Sequence, residues 1–131
     1  MNKFRFVKLF EDFKKIGFIN KEDVDNIFIE LIDDNFKIEY DNIEDDGKYE
    51  FMLYIEKDEL FNTDVTEEYL LVFLDYMKAC YNVLSYKYAT YRRYDTRTIS
   101  GNSSFTTDTT YYDDFPNNID VKTIGIDFII E

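Results

Sequence analysis

The stretch FKIEYDNIEDDGKYEFMLYIEK, residues 36–57, breaks the rhythm of the chain and decides its fold class. Phe36, Ile38 and Tyr40 alternate with polar residues, and so do Tyr49, Phe51, Leu53 and Ile55. Period two puts successive side chains on opposite faces of a strand, so each run carries one apolar face. Between the runs lies Asp45-Asp46-Gly47, and an Asp-Gly pair tolerates the positive φ angles of a tight hairpin turn. The spacing predicts a β-hairpin with Phe36, Ile38, Phe51, Leu53 and Ile55 turned inward.

On both sides of the hairpin the period becomes helical. Upstream, Val24, Ile27, Phe28, Leu31 and Ile32 form one stripe, with Asn20 placed as N-cap and Glu22 and Asp23 in the first turn, where the macrodipole favours acids. The run ends at Asp33-Asp34-Asn35. Two acids at the negative end of a helix cost about a few tenths of a kcal/mol and call for a reason elsewhere. Further upstream, Phe6, Leu9, Phe10, Phe13 and Ile16 predict another amphipathic helix over residues 3–16, stopped by Gly17.

Downstream, Thr63 or Asp64 is expected to open a third helix, with Glu67 closing a capping box on Asp64. Leu70, Phe73, Leu74, Met77, Tyr81 and Leu84 make one face, and Tyr69, Val72, Tyr76, Ala79 and Val83 widen it to a narrow polar strip. A helix so apolar is expected to be covered on more than one side, between the sheet and the N-terminal helical pair.

Tyr86 and Tyr88 begin a third strand running toward Ile99. Residues 98–118, rich in Ser, Thr, Asn and Asp, read as a long polar loop with room for a short strand at Ser104–Thr107. Ile119 to Ile130 form the last strand, apolar on both faces at Ile129-Ile130 and therefore central, with a phase shift near Gly125 that reads as a bulge. The expected fold is α+β. It is a mostly antiparallel four-stranded sheet with three helices in the order α-α-β-β-α-β-β, helices on one face, in a single domain over residues 1–131.

Composition supports a packed core. With 45% hydrophobic and 19% aromatic residues, among them 13 Phe and 12 Tyr, the chain lacks the low hydrophobicity of disordered sequences. The scarcity of Gly and Pro and the abundance of Ile, Asn and Lys is the skew of an AT-rich genome. Cys80 is the only cysteine, so no intrachain disulfide forms, which suits a reducing compartment. Lys3, Arg5 and Lys8 interrupt the N-terminal apolar residues, unlike a signal peptide, and no apolar run approaches a membrane span. A cytoplasmic location is expected, in a host cytoplasm or a virus particle if the chain is virus-encoded.

Chemistry is bounded mainly by what is missing. Without histidine, triad hydrolysis and histidine-ligated zinc are excluded. Cys80 lies in an apolar helix and reads as an inert thiol. Asn42-x-Glu44-x-Asp46-Gly47 mimics the start of a calcium loop, yet Leu53 stands where the bidentate Glu belongs, and strands flank the stretch. Asp33, Asp34, Asp113 and Asp114 offer carboxylates for a divalent-metal enzyme, but no spacing makes them converge. No cofactor and no metal are expected.

Charge is the remaining signal. The net charge is −13, which repels nucleic acid and anionic membranes, so neither is an expected partner. Residues 20–75 hold 19 acids against 4 bases, whereas residues 76–107 hold 5 bases and the single acid Asp95. Asp25, Glu30, Asp33, Asp34, Glu44, Asp45 and Asp46 lie off the apolar stripes or in the turn and form a candidate acidic face for a protein partner with a basic surface. Such a face can imitate a line of phosphates and occupy the channel of a nucleic-acid-binding target, as small acidic inhibitors of bacterial viruses do. A second candidate is the strand carrying Tyr86, Tyr88, Tyr91, Arg92, Arg93, Tyr94 and Arg97, residue types enriched at interface hot spots. The leading expectation is a non-enzymatic interaction module. The alternatives are a structural subunit of a larger assembly such as a virus particle, and a carboxylate enzyme using a divalent metal.

Overall fold

A computed structural model describes residues 19–97 and 103–131. The helix expected over residues 3–16 lies outside the described residues. The observed architecture is α+β: helices pack against one face of a five-stranded antiparallel sheet. In chain order the strands are β1 (Lys37–Asp45), β2 (Lys48–Asn62), β3 (Val83–Arg97), β4 (Ser103–Tyr112) and β5 (Asp120–Ile130). In space they run β1-β2-β5-β3-β4, so the last strand is central, as its two-sided apolar end implies.

The sheet has five strands rather than the four expected. The additional strand is β4, which takes 10 residues of the segment read as a polar loop, extends the short strand expected at Ser104–Thr107, and pairs with β3 from Tyr88↔Tyr112 to Arg97↔Ser103. Its sequence gave no apolar alternation because it is an edge strand, and Thr satisfies a pleated edge as well as Val does.

The hairpin forms as predicted. Asp46 and Gly47 adopt φ 52° and 78°, both left-handed, as a two-residue hairpin turn that matches strand twist requires. Asp45 pairs with Lys48, and the ladder continues to Lys37↔Glu56. Phe36, Phe51, Leu53 and Ile55 are buried, and Ile38 packs partly buried against them. No bulge interrupts β5 at Gly125. The irregularities lie on its neighbours, in β2 between Glu56 and Phe61 and in β3 between Val83 and Ser85.

The second expected helix is present as two short pieces, α1 (Lys21–Ile27) and α2 (Ile29–Asp33), separated by the fully buried Phe28. The Asn20 side chain accepts from the Glu22 backbone N–H at 2.9 Å, the expected N-cap. At the other end Asn35 turns left-handed at φ 68°. The Phe36 N–H then reaches the Leu31 carbonyl and the Asn35 N–H the Ile32 carbonyl. This pairing closes a Schellman motif, with Asn in the place glycine usually takes.

The third helix is α3 (Glu67–Cys80), entered through a 3-10 turn at Thr63–Thr66. The capping box on Asp64 does not form. Asn62 caps the turn instead, accepting from the Asp64 N–H, while Asp64 and Glu67 both accept from Asn117 and hold the segment entering β5. Thr63 completes this clasp, donating to the Pro116 carbonyl at 2.6 Å and accepting from the Ile119 N–H. The helix stops at Cys80, so Val83 and Leu84 belong to β3 rather than to a helical face.

Phe73 is the centre of the core. Its ring meets those of Phe28 at 5.6 Å, Tyr76 at 5.7 Å, Phe128 at 5.8 Å and Phe51 at 6.0 Å, which ties α1–α2 and α3 to the two central strands. Among the described residues no helix is long and apolar enough to cross a membrane.

Candidate acidic binding face

The acids nominated from sequence fall into two groups. Asp25, Glu30, Asp33 and Asp34 sit on α1–α2 and its exit, whereas Glu44, Asp45 and Asp46 sit at the hairpin turn. Residues 36–43 run between Asn35 and Glu44, roughly 30 Å at strand rise. The fold therefore strings these acids along its β1 side and does not gather them into one cluster.

Gathering does occur at one corner. The irregularity in β2 throws out Lys57, Asp58, Glu59 and Leu60 beside the α2 exit. Lys57, with only 17% of its side chain exposed, bridges the corner. Its ammonium lies 4.5 Å from the centre of the Phe36 ring, 3.6 Å from Glu59 and 3.8 Å from Asp34. On one side of Lys57 a cleft of about 470 Å³ has Leu31, Phe36, Phe61, Glu30 and Asp34 in its lining. On the other a cleft of about 550 Å³ is lined by Asn35, Lys37, Glu39, Glu56, Lys57 and Asp58. Glu39, Glu56, Asp58 and Glu59 were not singled out by the sequence: Glu39 and Glu56 reach this corner through the regular β1–β2 ladder, and Asp58 and Glu59 lie within the β2 irregularity.

Hydrogen bonds fix part of this face. The Tyr69 hydroxyl donates to Glu30 Oε2 at 2.6 Å and links α3 to α2. That bond, with the neighbouring charge, pushes the phenol up to about 12. Asp25 pairs with Lys21 at 2.8 Å one helical turn away, both exposed enough for solvent to screen them. Asp33 is exposed, at the end of α2.

The Tyr/Arg strand does not present one surface. Pleating turns Tyr86 and Tyr88 toward the helices, where Tyr86 packs on Phe128 and beneath Lys78, and Tyr88 is buried against Phe115. Tyr91 points to the opposite face and meets Tyr54 edge-on at 5.4 Å. Arg92, Arg93, Tyr94 and Arg97 lie where β3 has outrun β5, since β5 pairing ends at Tyr91↔Thr123, and their backbone pairs with β4 alone.

One group escaped the sequence reading altogether. Asp127 lies on β5 between Ile126 and Phe128, so its carboxyl points to the sheet face away from the helices. It is 4% exposed, and its Oδ1 has no hydrogen-bond partner among the described residues. Burial, reinforced by Glu50, holds its pKa up at about 6, against the opposing pull of Lys87 on the paired strand. A lone Asp in an apolar strand was the available signal. No group of three His, Cys, Asp or Glu placed to hold a metal ion occurs among the described residues. No protein family, curated protein or solved structure matches the chain.

Proposed function

We propose that this chain is a non-enzymatic interaction module whose acidic face docks on a basic surface of a partner protein. In its most specific form it is a virus-encoded mimic of nucleic acid that occupies the basic channel of a nucleic-acid-binding target. The observation that carries the reading is the corner around Lys57, where Glu30, Asp34, Glu39, Glu56, Asp58 and Glu59 surround two bases on a hydrogen-bonded framework. Acids held on rigid elements meet a basic partner with little ordering cost, and their field raises the encounter rate. The line of acids continuing to Glu44–Asp46 extends that field along β1.

A second reading, a structural subunit of a larger assembly, is favoured by the uncovered sheet face, where Met52, Tyr54, Tyr91 and Ile129 remain half-buried among the described residues. The two readings part on salt. Once a pull-down has named the partner, association rates for the parent and the Asp33→Lys/Asp34→Lys variant are measured against ionic strength. The acidic-face reading expects slower association in the variant and a loss that shrinks as salt shortens the field. Equal rates with equal salt slopes would sink it and favour the sheet face.

A further inference from the structure

We infer that the cleft between the α2 exit and the 3-10 turn receives the guanidinium of an arginine on the partner's basic surface, an inference that rests on the acidic-face reading. Part of the cleft lining is apolar. Leu31, Phe36 and Phe61 belong to the core yet line it, and Val65, 51% exposed, joins them from the 3-10 turn. Phe36 and Phe61 meet edge to face at 5.0 Å. Such a lining suits a flat, weakly hydrated cation on a long aliphatic stem.

Two carboxylates share that lining. The Asp34 N–H bonds to the carbonyls of Glu30 at 3.2 Å and Leu31 at 3.0 Å, so the Glu30 and Asp34 side chains leave the chain one helical turn apart on the same side. The Tyr69 hydroxyl donates to Glu30 Oε2 at 2.6 Å and fixes this carboxylate, and a carboxylate has a second oxygen to offer. Asp34 has 74% of its side chain exposed, and its 3.8 Å approach to Lys57 is longer than a hydrogen bond.

Lys57 already displays the chemistry assigned to the incoming arginine: a cation set on an aromatic ring beside carboxylates. It does not balance the site, because its charge is shared between Asp34 and Glu59 while Glu30 is met by the neutral hydroxyl of Tyr69. Charge complementarity therefore asks for a further cation. A guanidinium fits better than a second ammonium. Its fork can meet Glu30 and Asp34 together, and its plane can lie against the apolar lining, whereas an ammonium is a compact and strongly hydrated point charge. Arginine is also the side chain with which nucleic-acid-binding surfaces grip phosphates.

The test titrates isotopically labelled full-length protein with acetyl-Ala-Arg-Ala-amide and with its lysine counterpart, following backbone amide shifts. Saturable shifts are expected at Asp34 and Tyr69, with the arginine peptide bound roughly threefold more tightly than the lysine peptide. Val65→Phe fills the cleft without altering net charge, and Glu30→Gln removes one carboxylate while keeping an acceptor for Tyr69. Each should weaken the arginine peptide roughly tenfold, with retained Phe73 ring shifts showing that the core is intact. Absence of saturable shifts, equal affinity for the two peptides, shifts as large at Glu44–Asp46 as at Tyr69, or unchanged binding in Val65→Phe would each overturn the inference. Val65→Phe also separates it from the reading on which it rests, because the long-range field is untouched in that variant. Any of those failures, found together with partner association that slows as salt rises, would remove the arginine cleft and leave the acidic face standing.

Discussion

The two faces of β5 solve the same packing problem in opposite ways. Toward the helices it presents Ile124, Ile126, Phe128 and Ile130, all buried and continuous with the ring cluster around Phe73. Away from them it presents Thr123, Gly125, Asp127 and Ile129. No helix among the described residues lies over this second face, so its cover comes from neighbouring strands: Tyr54 from β2 and Tyr91 from β3 close over Gly125. One face is stabilised by apolar volume. The other depends on a small residue beneath two rings and tolerates a buried carboxyl. Stability is therefore concentrated on one side of the sheet, and the other side is where charge and pH act.

The largest expected effect tests the helix side. Phe73→Ala removes the ring that four others touch and leaves a cavity, at a cost of about 3–5 kcal/mol, most of the stability of a small domain. Urea unfolding of the variant checks it. A midpoint close to the parent's would mean that the helical layer is not what stabilises the sheet.

A smaller loss is expected on the other face from Gly125→Ala. A Cβ there would stand 2.8 Å from the Leu53 carbonyl oxygen, 3.2 Å from the Tyr91 ring and 3.3 Å from the Tyr54 ring. The rings can swing aside, but the carbonyl belongs to the β2–β5 ladder and cannot. The expected cost is about 1–3 kcal/mol from overpacking and a displaced strand. In the Gly125→Ala/Tyr54→Ala double variant part of the loss should persist, because the backbone contact remains. Full recovery would place the strain in the rings alone.

This asymmetry also explains how much was legible in the sequence. Alternation found the hairpin and the inward Phe51, Leu53 and Ile55, because one wet and one dry face stamp a period of two on a strand. The central position of β5 was readable from Ile129-Ile130. Of the strand β4 only the short piece Ser104–Thr107 was readable, since its Ser and Thr residues serve an edge and carry no apolar period. The Asp64–Glu67 box failed for a tertiary reason: both carboxylates are taken by Asn117, some 50 residues away, a contact that no local pattern encodes. For the candidate site, individual acids were visible but their grouping was not. The corner at Lys57 exists because β2 slips its register between Glu56 and Phe61, and a slip within a mixed run of charges leaves no trace in hydrophobic period.

The smallest effect, and the one that separates the two faces by chemistry, comes from Asp127. Three charged or titratable neighbourhoods bear on it: Glu50 on β2, Lys87 on β3, and the Tyr54–Tyr91 pair with which its charge interacts. Lys87 gives incomplete compensation, for its ammonium lies 4.3 Å over the Tyr111 ring. Because the folded pKa of about 6 stands above the ordinary 3.8, the folded state binds this proton more tightly than the unfolded chain does. The group's contribution to stability is then fully present below about pH 4 and lost as pH rises through about 6. Asp127→Asn removes the ionisation. The variant should exceed the parent by about 1–2 kcal/mol at pH 7, after allowing for solvent screening on a face that no helix among the described residues covers. That margin should close between pH 6 and pH 4. Urea midpoints of both proteins at pH 4, 5, 6 and 7 test it, since all other carboxylates titrate in both and cancel in the difference. A gap of constant size across that range would mean that Asp127 ionises as an ordinary surface acid, and that the sheet face away from the helices is wetter than its 4% exposure implies.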